Sequence, residues 1–80
     1  MVFQLFAPTA DDFFIKATDK YYNKDLKGAI ADLSQAIKIN PNYAEAYSNR
    51  GNVRDDLGDK QGAVADFNQA IKINPNYAIA

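Results

Sequence analysis

Apolar residues along this chain fall three and four positions apart rather than alternating. Ala29, Leu33, Ala36 and Ile37 form one such stripe, and Ala63, Phe67, Ala70 and Ile71, followed by Asn74, form another. That spacing puts each set on one face of a helix. The polar punctuation between the stripes predicts where helices begin and end. Thr9 is suited to cap a first helix over Ala10–Tyr22, with Asp12 three residues later completing a capping-box-like pair. Asn23, Lys24 and Asp25 read as a turn, and Asp25 is a good N-cap for a second helix, Leu26–Ile39. Asn40 is expected to take the left-handed C-terminal conformation before Pro41 stops the helix. Asn42 is expected to cap a third helix over Tyr43–Leu57. Gly58 ends that helix, and Asp59 caps a fourth that runs to Ile73. Asn74, Pro75 and Asn76 repeat the stop, and Tyr77 to Ala80 read as the start of a further helix.

The second stripe is a copy of the first. The segment Gly28–Ala44 returns as Gly62–Ala78 at a constant offset, with changes only of Ile30 to Val64, Leu33 to Phe67 and Ser34 to Asn68. A fixed period of this size marks a solenoid of stacked helical hairpins, in which neighbouring units bury each other's apolar faces. Small alanines opposite larger residues let paired helices approach closely. A stack of surfaces points to holding another molecule.

Composition narrows the chemistry. The 80-residue chain has a net charge of −1, which creates no global field for nucleic acid or an anionic membrane. It has no cysteine and no histidine. A thiolate metal site, a disulfide framework and the usual general base near neutral pH are therefore absent. No cofactor is expected, and no enzyme: there is no predicted buried carboxylate pair to take histidine's place. No run of about 18 apolar residues is available to span a bilayer. Met1 to Phe6 is apolar but short and lacks a basic flank, so a secretory signal is not expected and a cytoplasmic location is the default. The stretch Asp55 to Asp59 lacks the alternating ligands of a calcium loop. The lysines are scattered without aromatic interleaving.

These residues resemble the tetratricopeptide repeat (TPR) family, with the wording of bacterial multi-repeat members. The match runs from about Ala10 to Ala78. In the second copy Tyr47 stands at the family's first-helix aromatic, Gly51 at the small helix-crossing site, and Leu57, Gly58 and Asp59 at the turn. Ala63, Phe67 and Ala70 stand at second-helix packing sites and Pro75 at the terminal proline. In the first copy Phe13, Ala17, Ala29, Leu33, Ala36 and Pro41 take those roles. The resemblance implies an all-α fold: two helix-turn-helix hairpins stacked as a short right-handed solenoid with a truncated third-repeat stub. It would be a single domain over residues 1–80, with an N-terminal extension at 1–9, repeats at 10–43 and 44–77, and the stub at 78–80. Two departures stand out. Arg50 and Arg54 replace residues that are usually apolar or aromatic. Arg50 reads either as an ion-pair partner of Asp32 or Asp66 or as a clamp for a ligand anion. The turn of the first hairpin has lost its Leu-Gly, becoming Asn23-Lys24.

In this family the first helices of successive repeats line a concave groove. Carried over, the groove face of the third helix is Glu45, Ser48, Asn49, Asn52, Asp55 and Asp56, all polar. The face of the first helix is Asp11, Phe14, Ile15, Thr18, Tyr21 and Tyr22, mostly apolar or aromatic. Asparagine offers both a donor and an acceptor, so it can pair with the backbone of an extended peptide. Asn49 matches the asparagine some TPR proteins use for this, and the acidic pair Asp55 and Asp56 would favour a basic ligand. The other reading makes the polar set a solvated face and has Met1 to Phe6 cover the aromatics. The family's carboxylate clamp needs lysine and asparagine where Phe14 and Thr18 stand, so that specificity is not implied.

Two functions follow from these faces. One is an adaptor that binds an extended protein or peptide segment, or a partner helix, in the groove. The other is self-assembly into a homo-oligomer. Two repeats fall short of the roughly three that usually make a stable stack. Val64, Ile71, Tyr77 and Ile79 would form an apolar C-terminal face, and exposed apolar faces favour association.

Overall fold

A computed structural model describes residues 7–78 of the chain. It contains four α-helices, α1 (Ala10–Tyr22), α2 (Leu26–Ile39), α3 (Ala44–Asp56) and α4 (Lys60–Ile73), and a short 3₁₀ helix, Pro75–Ala78. No strand occurs among the described residues. α1 packs on α2 and α3 on α4, and the two hairpins are joined through α2 against α3.

The helix starts are set by local side-chain chemistry. The Asp12 N–H donates to Thr9 Oγ1 at 3.1 Å, and the Thr9 N–H donates back to Asp12 Oδ2 at 2.9 Å, the reciprocal capping box. At α2 and α4 the Gly28 and Gly62 N–H groups donate to Asp25 Oδ1 and Asp59 Oδ1, both at 2.9 Å. The glycines leave room for these caps: a Cβ on either would come within 2.2 Å of the capping carboxylate.

Two local expectations are corrected. Asn40 is extended, with φ −128° and ψ 91°, not left-handed. Pro41 is the cause, because its ring crowds the preceding residue out of helical conformations. The Asn40 side chain instead accepts from the Asn42 N–H at 3.1 Å. Asn42 therefore does not cap α3. Tyr43 occupies the cap position without a side-chain cap bond, and α3 runs from Ala44 to Asp56. The same turn recurs where Asn76 N–H donates to Asn74 Oδ1 at 3.1 Å. There Pro75–Ala78 forms the short 3₁₀ helix, and the rest of the segment read as the start of a further helix lies beyond it. Ile79 and Ala80 lie outside the described residues, as does the Met1–Phe6 segment expected to cover the aromatics.

The core is built largely of small residues. Ala10, Ala17, Ala29, Leu33, Ala36, Ala46 and Val53 form one buried cluster, and Phe13, Ile30, Ile37 and Tyr43 are among the half-buried residues packed against it. Alanines at the crossings bring the helix axes close, and the large side chains then close the flanks.

Candidate functional site

The two hairpins leave a cleft of about 330 Å³ between α1 and α3. Thr18, Tyr21 and Tyr22 line it from α1, and Asn49, Asn52, Asp55 and Asp56 from α3. These are seven of the twelve residues the sequence assigns to the groove faces. Its apolar floor is Ala17, Leu33 and Val53, all core residues. Helical spacing explains the convergence: on α3, Asn49, Asn52 and Asp56 are three and four apart and share a face.

The other five, Asp11, Phe14, Ile15, Glu45 and Ser48, do not line it. Phe14 is stacked on Tyr43, with ring centroids 5.1 Å apart and planes 19° apart, so that part of α1 is covered by the entrance to α3. The Tyr43 hydroxyl donates to Asp11 Oδ1 at 2.7 Å. Burial first, and this bond second, push the Tyr43 phenol well above its usual range. Glu45 and Ser48 lie on the N-terminal half of α3, away from the cleft. The charge of Glu45 acts on Tyr77, whose phenol is raised by burial first and by that carboxylate second.

Polar side chains inside the cleft are already partly committed. The Tyr21 hydroxyl donates to Asp56 Oδ2 at 2.7 Å and ties the ends of α1 and α3 together. That bond raises the Tyr21 phenol above its usual value. The Tyr21 and Tyr22 rings meet edge to face, with centroids 5.9 Å apart. The Thr18 hydroxyl donates to the Phe14 carbonyl at 3.0 Å, turning its hydrogen back into its own helix. Asp55 pairs with Lys60 across the exposed turn.

Behind the groove, each hairpin neutralises one buried aspartate. Arg50 forms an ion pair with Asp66: Nε donates to Oδ2 at 2.9 Å and Nη2 to Oδ1 at 2.8 Å, while Nη1 donates to Ser34 Oγ at 3.1 Å. Arg54 Nη1 adds a third bond to Asp66 Oδ2 at 2.8 Å. This arrangement engages Arg50 with the second hairpin's own aspartate. In the first hairpin Lys20 Nζ lies 2.9 Å from Asp32 Oδ2, and that contact raises the lysine's pKa. The sequence reading did not assign Lys20 and Arg54 to these pairs. The period carried the signal, because Lys20 and Arg54, like Asp32 and Asp66, are one repeat apart. Among the described residues, no group of three or more carboxylates converges in a way that could hold a metal ion.

Family comparison fits this architecture. A family model described as "TPR repeat" matches residues 19–58, and one described as "Tetratricopeptide repeat" matches residues 44–77. The chain belongs to the tetratricopeptide repeat family. Its fold is similar to a solved structure titled "Crystal structure of MamA", with a TM-score of 0.84 and 29% identity over 85% of this chain and 40% of that one. A second, "Crystal structure of MamA protein", matches with a TM-score of 0.83 and 29% identity over 85% of this chain and 37% of that one. The TPR hairpins described here thus span about two-fifths of those solved chains. No curated protein matches the sequence significantly.

Proposed function

We propose that this chain is a non-catalytic protein-interaction module that binds an extended peptide or a partner helix along the cleft between α1 and α3. The convergence of Asn49, Asn52, Tyr21 and Tyr22 on one open cleft supports this reading. The asparagines supply paired donors and acceptors for a peptide backbone, and the tyrosines supply apolar area with a polar edge. Asp55 and Asp56 favour a basic segment. A cytoplasmic setting is part of this proposal; no helix among the described residues is long and apolar enough to cross a membrane. The test begins by isolating binders from a displayed peptide library. Asn49→Ala with Asn52→Ala should then weaken the binding of those peptides about fivefold or more, from lost hydrogen bonds. The thermal midpoint should stay nearly unchanged, because Asn52 is exposed and Asn49 only half-buried. Calorimetry showing equal affinities would remove the groove.

A second reading, association between copies of this chain, rests on α4. Val64 is 56% exposed, whereas its counterpart Ile30 is half-buried against the core. Ile71 and Tyr77, the other described residues of that expected face, are half-buried, and Ile79 lies outside the described residues.

A further inference from the structure

Asp56 is an exposed residue of the cleft wall and, unlike the buried Asp32 and Asp66, has no basic partner among the described residues. Asp32 has Lys20, and Asp66 has Arg50 and Arg54. Among the described residues, no lysine or arginine nitrogen lies within 4.0 Å of the Asp56 carboxylate. Its side-chain partner is the Tyr21 hydroxyl, which occupies Oδ2. Oδ1 is left to accept from another donor. Neighbouring Asp55 is held by Lys60 in a solvent-exposed pair, and such pairs are weak and easily exchanged.

The cleft around Asp56 has room for a long side chain. At about 330 Å³ it lies near the lower end of the range of about 300–1,000 Å³ for small-molecule pockets. Its floor of Ala17, Leu33 and Val53 is apolar but almost fully buried, so a methylene stem would lie mainly along the exposed Tyr21 and Tyr22 rings. Tyr22 is 77% exposed, so its ring is open to a planar group. Its carboxylate end repels an acidic side chain and leaves an apolar one with nothing to pair.

We propose that this cleft is the anchor pocket for an arginine side chain of an extended peptide, with the guanidinium between Tyr22 and the carboxylates of Asp56 and Asp55. The proposal rests on the groove reading above and specifies its ligand. Arginine fits better than lysine for two reasons. Its planar guanidinium stacks on an aromatic ring and is weakly hydrated, so it loses less on leaving water. Its several N–H groups can also meet the open Asp56 oxygen, while the charge of nearby Asp55 adds attraction. The bond from Tyr21 fixes the Asp56 carboxylate before the ligand arrives, so its orientation costs no further ordering.

The test is an NMR titration of the full ¹⁵N-labelled chain with four capped pentapeptides. Each has two glycines on either side of one variable residue: arginine, its neutral isostere citrulline, lysine or leucine. The arginine peptide should give saturable shifts at the amides of Tyr21, Tyr22, Val53 and Asp56. It should bind up to about fivefold more tightly than the citrulline peptide, as expected for losing a solvent-accessible charge pair. Asp56→Asn should remove that preference, and Tyr21→Phe, which frees the carboxylate to rotate, should reduce it. Equal shifts at Asn49 and Asn52 with all four peptides would keep the groove and overturn the arginine anchor. Arginine-selective shifts mapping outside the cleft, or surviving Asp56→Asn, would also overturn it. Absence of any saturable shift with the arginine peptide would overturn the anchor, while the library-selected peptides decide the groove separately.

Discussion

Lys24 carries a backbone strain that its counterpart does not. It sits at φ 65° in the turn between α1 and α2, while Gly58, one repeat later, sits at φ 88° in the turn between α3 and α4. A residue with a Cβ in this left-handed region is disfavoured by about 1–2 kcal/mol, and glycine is not. Part of that difference is offset by the extra freedom glycine gives the unfolded chain. Lys24→Gly should therefore raise stability by about 0.5–1 kcal/mol. A urea denaturation midpoint at or below that of the parent would show that the turn stores no strain. The sequence marked this position through the missing Leu-Gly but held no sign of the dihedral angle, since lysine rarely adopts positive φ. Arg50 was legible in a different way. A long cation one turn from Tyr47, with an aspartate on each second helix, narrowed its partner to Asp32 or Asp66. Choosing between them required the hairpin's actual geometry, in which Arg50 and Arg54 converge on Asp66.

At the scale of helices, the two hairpins meet the same packing demand with different residues. In the second, a Cβ on Gly51 would lie 2.8 Å from the Phe67 ring. In the first, the equivalent positions are Ala17 and Leu33, both buried in the core cluster. A methyl on the first helix accompanies the smaller side chain on the second, and its absence accompanies the larger one. Gly51→Ala gains up to about 1 kcal/mol of helix propensity but forces the Phe67 ring to move. In the Phe67→Leu background the same change should be free of that clash. A double-mutant cycle from thermal or urea melts should therefore give a coupling of about 0.5–3 kcal/mol, favouring the combination of Gly51→Ala with Phe67→Leu. Additive single effects would mean that the two side chains do not share one space. Helix positions and caps were legible because they depend on neighbours a few residues away, as at Thr9, Asp25 and Asp59. The entrance to α3 was misread because Pro41 acts on Asn40 more strongly than asparagine's own left-handed preference does. Helical faces alone brought Thr18, Tyr21 and Tyr22 of α1 and Asn49, Asn52, Asp55 and Asp56 of α3 toward one cleft. The rest depended on long-range contacts, Phe14 on Tyr43 and Tyr21 on Asp56, which leave no local trace in the sequence.

For the whole molecule, the internal repeat provides its own control for what should cover α4. In the first hairpin, Ile30 and Ile37 are half-buried and pack against the core cluster that includes Ala46 and Val53 of α3. Val64 and Ile71 are their counterparts in the second copy, and Val64 is largely open. Covering an exposed valine or isoleucine fully is worth about 1.5–3 kcal/mol, so a helix docked on α4 would add appreciably to a small two-hairpin core. The proposed assembly places a second copy of this chain on that face. Because the outer face of α1 differs from that of α4, end-to-end contact would be heterologous, closing into a ring or extending as a filament. Exchange of end segments between two copies would instead close a dimer. Both forms predict a sedimentation-equilibrium average mass that rises with protein concentration. Val64→Lys, at an exposed site, should lower that mass without changing the thermal midpoint measured at high dilution. Ile71→Lys should lower it further and also cost some stability, since Ile71 is half-buried. An ideal monomer at high concentration, or association indifferent to both lysines, would exclude α4 as the contact and leave the cleft as the chain's one proposed binding surface.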